Sequence, residues 1–306
     1  MIKNPPKVCV ITPTYKRDKQ LHRSIESVLD QTYNNIEYII VDDASRDHTE
    51  EVVRSYNDSS LTYISHEINQ GGSAARNTGI RHAEGKYLAF LDSDDEWAPN
   101  KVQKQVNCLE NLSNDWIAVY CDIKRSRSGV SAKVRKLLFD AYDDGVGAEG
   151  GAELIQHLLS LSFPIGAGST LMIRNSIIDL LGGFDESFQR HQDWEFLIRL
   201  LQTGKLAYVD EELVELHGTG SPSPELIEEA KGRFFSKYSH LIAEYEKRGI
   251  PVRKLQRLEL ARLYFSEGDY LEGFRHFRRG LTLNHRLLIS VFWGLLQGVR
   301  GMFVDA

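Results

Sequence analysis

Three times in its first hundred residues the chain runs through a short apolar stretch and stops at polar residues. Val8-Cys9-Val10-Ile11 gives way to Thr12-Pro13-Thr14-Tyr15, "IEYIIV" (36–41) to Asp42-Asp43-Ala44-Ser45, and Leu88-Ala89-Phe90-Leu91 to Asp92-Ser93-Asp94-Asp95. A fourth β-prone run, "LTYISH", spans 61–66. Segments of helical character lie between them: Leu21, Ile25, Val28 and Leu29, then "EEVVRSY", then the glycine turn and helix of "GGSAARNTGIRHAEG". Apolar runs alternating with helices predict an α/β chain with a mostly parallel central sheet flanked by helices. In such sheets ligands bind beyond the carboxyl ends of the strands. The three polar loops therefore converge on one crevice, which says more than any single loop.

Further along, Val102, Val106 and Leu109 predict a helix over 100–112. Residues 124–150 are polar and Gly-rich without period and read as a flexible insertion. "AELIQHLLSL" reads as a helix, "GSTLMI" as a strand and "NSIIDLLGG" as a short helix closed by glycines. "DWEFLIRLLQTG" reads as a helix that starts at Asp193 and ends at Gly204, and 217–225 as a mobile loop. From Glu225 on the pattern is helical, and "LARLYFSEGDYLEGFRHFRRGLTLN" resembles one tetratricopeptide-type helix pair. Two regions are expected: 1–224, in two parts over about 1–115 and about 150–224, and a C-terminal helical extension over 225–306.

Charge divides the chain the same way. Residues 225–306 hold 14 Lys and Arg against 10 Asp and Glu, whereas the first 224 hold 23 against 33. The net charge of −6 argues against a nucleic-acid partner. Cys9, Cys108 and Cys121 form no even disulfide set, which suits a reducing compartment. "MIKNPPKVCVITP" shows no signal-peptide run, and "LLISVFWGLL" (287–296) is shorter than the roughly 20 residues that span a bilayer. The expectation is a cytoplasmic protein, with peripheral contact at the inner membrane face or homo-oligomer formation as roles for the C-terminal helices. Burial of the apolar tail within its own chain is the competing reading.

On an extended backbone Asp92 and Asp94 share a face, and two carboxylates so close repel unless a cation or donors lie between them. Oxygen ligands of this kind suit Mg²⁺ or Mn²⁺ beside a substrate phosphate. An isolated D-x-D is more often a solvated turn, and here Asp95 and Glu96 read as a helix-start cap. The strand before it and the two companion loops favour the cation. "VDDASRDHT" offers a carboxylate to a base N–H, or a plain turn capped by Ser45 and Asp47. Gly71-Gly72 at a helix start, with Arg76, suits a phosphate.

"VCVITPTYKR", "IEYIIVDDASRDHT", "NQGGSAARNTGIRHAEGKYLAFLDSDDEWAP" and "IGAGSTLMIRNSIIDLLGGFDESFQRHQDWEFLIRL" together resemble the family 2 glycosyltransferases of the GT-A fold. The resemblance runs from about Lys7 to about Leu216 and leaves out the C-terminal helices. It implies an inverting, metal-dependent transfer of one sugar from a UDP-sugar to a glycan or lipid-linked acceptor, in cell-envelope or exported polysaccharide synthesis. By the same resemblance Thr12, Pro13, Tyr15 and Arg17 line the nucleotide site, Asp43 faces the base, and Arg76 lies by base or phosphates. Asp92, Ser93 and Asp94 form the D-x-D, with Asp94 on Mn²⁺ or Mg²⁺, and His217 is a further metal-ligand candidate. Asp193 matches the general base, and its neighbours Trp194 and Glu195 are acceptor-pocket candidates. Gln192 stands where an acid often precedes the base. The Q-x-x-R-W signature of processive synthases is absent, which points to single-residue addition. The alternatives are a catalytically silent interaction protein with this fold and a nucleotidyltransferase.

Overall fold

The apolar runs become strands. In a computed structural model that describes residues 4–124, 148–161, 168–217, 222–282 and 288–296, they form β1 (Val8–Thr14), β2 (Ile36–Asp42), β3 (Leu61–Ser65) and β4 (Tyr87–Phe90). All pair in parallel: Val8 lies beside Ile36 and beside Tyr87, and Tyr38 beside Leu61. This register brings Thr14 level with Asp42 and Ile11 level with Phe90, so the polar loops leave from one edge. The helices between are α1 (Asp18–Leu29), α2 (Thr49–Arg54) and α3 (Gly72–His82). α1 buries Leu21, Ser24, Ile25 and Val28, one stripe at helical spacing. α3 packs on β1 so closely that a Cβ on Gly79 would lie 2.4 Å from Ile11 Cγ2.

The acidic stretch departs from expectation. Glu96–Trp97 is a short strand, β5, and the next helix, α4 (Lys101–Glu110), begins after Asn100, so Asp95 and Glu96 cap no helix. The sheet continues with β6 (Trp116–Lys124), β7 (Met172–Arg174) and β8 (Lys205–Glu215), in the order β3-β2-β1-β4-β7-β6-β8-β5. β7 is antiparallel to β4 and β6, while β6 and β8 are parallel. "GSTLMI" is strand only at its end, because Gly168–Thr170 forms a 3₁₀ turn. The helix expected at Asp193 spans Gln192–Thr203.

The described residues group into two compact units, the sheet unit (4–124, 148–154, 168–217) and a helical unit (155–161, 222–282, 288–296). The expected 124–150 insertion falls largely outside the described residues, as do 218–221 of the expected loop and 297–306 of the tail. In the helical unit, helix Val252–Ser266 pairs with helix Tyr270–Gly280 around Leu255, Leu258, Ala261, Phe265 and Val291. Gly273 and Gly280 allow the approach, since a Cβ at either would collide with Phe265 or with the Lys254 carbonyl. The Asp269 side chain caps the second helix by accepting from the Glu272 N–H. Buried Lys231 donates to Gln256 and to Glu259, and Gln256 donates to the Leu159 carbonyl at 2.9 Å. That last bond explains why the short helix Ile155–Ser160 belongs with this unit.

Candidate active site

The antiparallel pairing of β4 with β7 builds the centre of the site. Tyr87 faces Arg174, Leu88 faces Ile173 and Ala89 faces Met172. Carried outward, this register sets Asp92 opposite Ser169. The Asp92 N–H donates to Ser169 Oγ at 3.0 Å. Ser169 Oγ donates to Asp95 Oδ2 at 2.5 Å, and the Ser169 carbonyl accepts from the Trp97 indole at 2.8 Å. One serine thus fixes three positions of the acidic stretch. Asp95 is 6% exposed, and burial pushes its carboxyl up to about 7. The Ser169 hydrogen bond opposes that rise, and Asp92 and Asp94 add to it. Asp95 is therefore an internal strut.

Arg76 reaches in from α3 and is buried. Its Nη2 donates to Asp92 Oδ1 at 2.5 Å, and its guanidinium lies 5.5 Å from the Phe184 ring centroid. Burial works against its charge, but the Asp92 and Asp193 carboxylates outweigh burial and hold it cationic. Its Nε is buried without a partner, which leaves one donor for an anionic ligand. Gly72 makes room for this side chain, since a Cβ there would sit 3.2 Å from Arg76 Nη1.

Asp193 stands half-buried in the first turn of its helix. Burial holds its carboxyl above the usual carboxylate range, Arg76 pulls it back, and Asp92 pushes it further up. Gly168 shows how close the two acids come. A Cβ on Gly168 would lie 3.5 Å from Asp92 Oδ2 and 3.9 Å from Asp193 Oδ2. Its φ of +56° is a conformation that glycine adopts without strain.

The other expected residues divide into those at the crevice and those turned to structure. Thr12 is buried, with its hydroxyl 3.1 Å from Tyr38 Oη, while Tyr15 is exposed three residues beyond. Pro13 is half-buried and Ser93 buried. The Lys16 N–H donates to Ser45 Oγ at 2.8 Å and ties the first loop to the second. Arg17 Nη1 lies 3.6 Å from Asp94 Oδ2, which makes an ion pair at the rim. Asp43 is buried and accepts from His66 Nδ1 at 2.8 Å, from the Gln70 N–H at 2.8 Å and from the Gly71 N–H at 2.7 Å. These bonds clamp the glycine turn. Asp42 likewise accepts from Tyr63 Oη at 2.6 Å and from the Ser45 N–H at 3.0 Å.

Glu195 corrects its expected place in an acceptor pocket. Its side chain is fully buried and pairs with Arg199 at 2.5 Å, while Arg199 donates on to the carbonyls of Leu181 and Gly183. Trp194 is half-buried and stacks on His191 with centroids 4.7 Å apart. His217 Nε2 lies 3.2 Å from Glu96 Oε2, and ligand atoms of Glu96, Glu215 and His217 fall within 4.8 Å of one another. Hard carboxylate oxygens with one imidazole suit a divalent cation. Asp92 and Asp94 offer a second oxygen set at the crevice. Glu96 and Glu215 were missed as partners of His217, because β5 and β8 pair only in three dimensions. Gly168 and Ser169 were missed because "GS" before an apolar run reads as an ordinary turn.

This sheet, with an acidic strand end and a facing carboxylate from the second half, is the GT-A glycosyltransferase fold. The glycosyl transferase family 2 model matches residues 9–182, and the chain belongs to that family and is a glycosyltransferase. An uncharacterized glycosyltransferase of Rickettsia typhi is 29% identical over 274 residues, 88% of this chain and 83% of that protein. One of Rickettsia prowazekii is 32% identical over 210 residues, 69% of this chain and 63% of that protein. An Escherichia coli UDP-Glc:alpha-D-GlcNAc-diphosphoundecaprenol beta-1,3-glucosyltransferase is 40% identical over 102 residues, 33% of this chain and 40% of that protein. Among solved structures, Staphylococcus aureus TarS 1–349 with UDP-GlcNAc superposes with a TM-score of 0.57 at 17% identity, covering 96% of this chain and 92% of that one. A Pyrobaculum calidifontis mannosyltransferase with GDP-Man and Mn²⁺ gives 0.55 at 19% identity, covering 99% of this chain and 75% of that one. No helix among the described residues is long and apolar enough to cross a membrane.

Proposed function

We propose that this glycosyltransferase moves one sugar from a UDP-sugar to an acceptor hydroxyl with inversion at the anomeric carbon, in the synthesis of a cell-envelope or exported glycan. The observation that carries this reading is the meeting of Asp92, Asp193 and buried Arg76 around Gly168. Thr12, Pro13, Tyr15 and Arg17 would border the nucleotide, and Asp43 would act by holding the Gln70-Gly71 turn. Arg76 sets the Asp92 carboxylate and keeps a donor for the diphosphate. Asp193 accepts the proton of the acceptor hydroxyl as its oxygen attacks. The raised carboxyl suits this task, because a stronger base takes the proton more readily. Trp194 would border the acceptor. Mn²⁺ or Mg²⁺ fits the donor sets of Asp92 with Asp94 and of Glu96, Glu215 and His217, and when bound it supplies charge neutralisation for the departing diphosphate.

The donor class is supported by the UDP-GlcNAc complex of TarS and by the UDP-glucose in the name of the E. coli relative. That relative's diphosphoundecaprenol acceptor supports a lipid-linked acceptor here.

Asp193→Asn should lower kcat about a thousandfold while UDP affinity, measured by calorimetry, stays within a factor of about two. The wild-type rate should fall on acidification through the pKa of Asp193, with a midpoint above the ordinary aspartate range, because the base must be ionised to act. A wild-type kcat in the variant would remove Asp193 from the mechanism.

A further inference from the structure

The helical unit turns large apolar residues outward beside arginines. Helix Tyr270–Gly280 packs inward through Gly273, His276 and Gly280. Its opposite stripe carries Leu271, Phe274 and Arg278 at positions i, i+3 and i+7, with Arg275 and Arg279 alongside. Leu271 is 86% exposed and Phe274 58%. Phe274 sets its ring edge-on to the buried Phe265 ring with centroids 5.1 Å apart but keeps more than half of its surface outside, and the outward Leu271 adds little to the helix's own folding. The described end of the chain repeats the pattern. In helical segment 288–296, Leu288, Val291 and Leu295 pack on the unit's core, while Ile289, Phe292 and Leu296 face out at the same spacing.

We propose that this unit docks on an anionic lipid surface, with Leu271 and Phe274 entering the acyl boundary and Arg275, Arg278 and Arg279 meeting headgroup phosphates. Charge singles out this occupant. Arg275 is paired with Glu272 at 3.0 Å, but Arg278 and Arg279 are exposed and make no ion pair among the described residues. Arginines beside apolar side chains match the layered chemistry of a membrane interface, where the stem lies in the apolar zone and the head reaches phosphate. A second copy of this chain fits less well. A two-fold dimer sets the same patch against itself, so the three arginines would face one another. The region from 225 on has a surplus of four positive charges while the rest has a surplus of ten negative ones, so an anionic surface attracts this end and repels the other. The proposal goes beyond sugar transfer and stands without it.

The full chain should float with vesicles containing phosphatidylglycerol in addition to phosphatidylcholine, and far less with vesicles of phosphatidylcholine alone. The double change Leu271→Ser and Phe274→Ser should weaken partitioning about tenfold or more. Arg278→Glu with Arg279→Glu should weaken it at least about fivefold per arginine and remove the preference for phosphatidylglycerol. The arginine variant should keep the wild-type melting temperature, because both side chains are exposed, and the double serine change should lower it only slightly, through loss of the Phe274 contact with Phe265. Equal flotation with both vesicle types, or variants that float as well as wild type, would overturn the proposal. So would a wild-type dimer that Leu271→Ser and Phe274→Ser turn into a monomer, since the stripe would then be occupied by a second copy.

Discussion

The two halves of the sheet are assembled by different rules. β3, β2, β1 and β4 are parallel neighbours joined through helices, and their strand ends line up. β7, β6, β8 and β5 mix directions, and the β6–β8 ladder shifts register three times. The first half offers one edge of loops, as any open α/β sheet does. The second half brings Gly168 and Ser169 to that edge through the antiparallel contact of β4 with β7, and further contacts of Phe184 and Phe188 with Asn77, Phe90 and Ser73 seat the segment before Asp193. A regular half can hold a ligand, while an irregular half set against it adds a group that acts on the ligand.

Substitutions that separate the halves test this division. The largest effect should come from Gly168→Val, which puts a branched side chain at φ +56° and against both Asp92 and Asp193. The kcat/KM for transfer should fall about a hundredfold, because sub-ångström placement of the reacting groups is lost. A wild-type value would mean that the two carboxylates do not act around that point. Asp94→Ala should act on the regular half. UDP affinity with Mn²⁺, by calorimetry, should drop about tenfold and converge on the metal-free value. Equal affinities of variant and wild type with Mn²⁺ would take Asp94 out of the metal site. The smallest effect on catalysis should be that of Gly79→Ala, where the added methyl meets Ile11. Here stability should fall by about 1–3 kcal/mol in denaturant unfolding while kcat/KM stays within about twofold. A large loss of kcat/KM instead would show that α3 packing and catalysis are coupled.

The same division governed what could be read from the sequence. β1, β2 and β4 are buried on both faces, so they appear as unbroken apolar runs with a sharp polar end. Asp92 and Asp94 were legible because they follow such an end at short range, and Arg76 because it follows the Gly71-Gly72 pair at a helix start. β8 was not, because it carries Asp210, Glu211 and Glu212 in an exposed middle stretch and so lacks an apolar signature. β6 was passed over although Ile117, Ala118, Val119, Tyr120 and Cys121 are buried, since it runs on into polar Asp122 and Lys124 without the sharp turn signal that ends the earlier strands. Glu195 shows a second limit. Its place beside Asp193 suggested an acceptor contact, but its fully buried carboxylate takes donors from Arg199 inside the protein. No local pattern reports where a buried acid finds its partners. The outward stripe of helix Tyr270–Gly280 was hidden for a related reason, because "YLEGFRHFRRG" gives its period but not which side turns to the core.

The β4–β7 contact also bears on how the molecule is made. A chain that emerges from its N-terminus has synthesised β1 to β4 well before residues 168–174 exist. Asp92 and Ser169 stand 77 positions apart, so the acidic strand end must wait for its serine. Until then Asp95 has no Ser169 hydroxyl, and Trp97 no Ser169 carbonyl, to bind. Closure of such a long loop comes late in folding, because its entropy is lost before the contact repays it. The parallel half of the sheet can therefore take shape during translation, whereas the crevice around Asp92 and Gly168 is completed only when the second half of the sheet arrives.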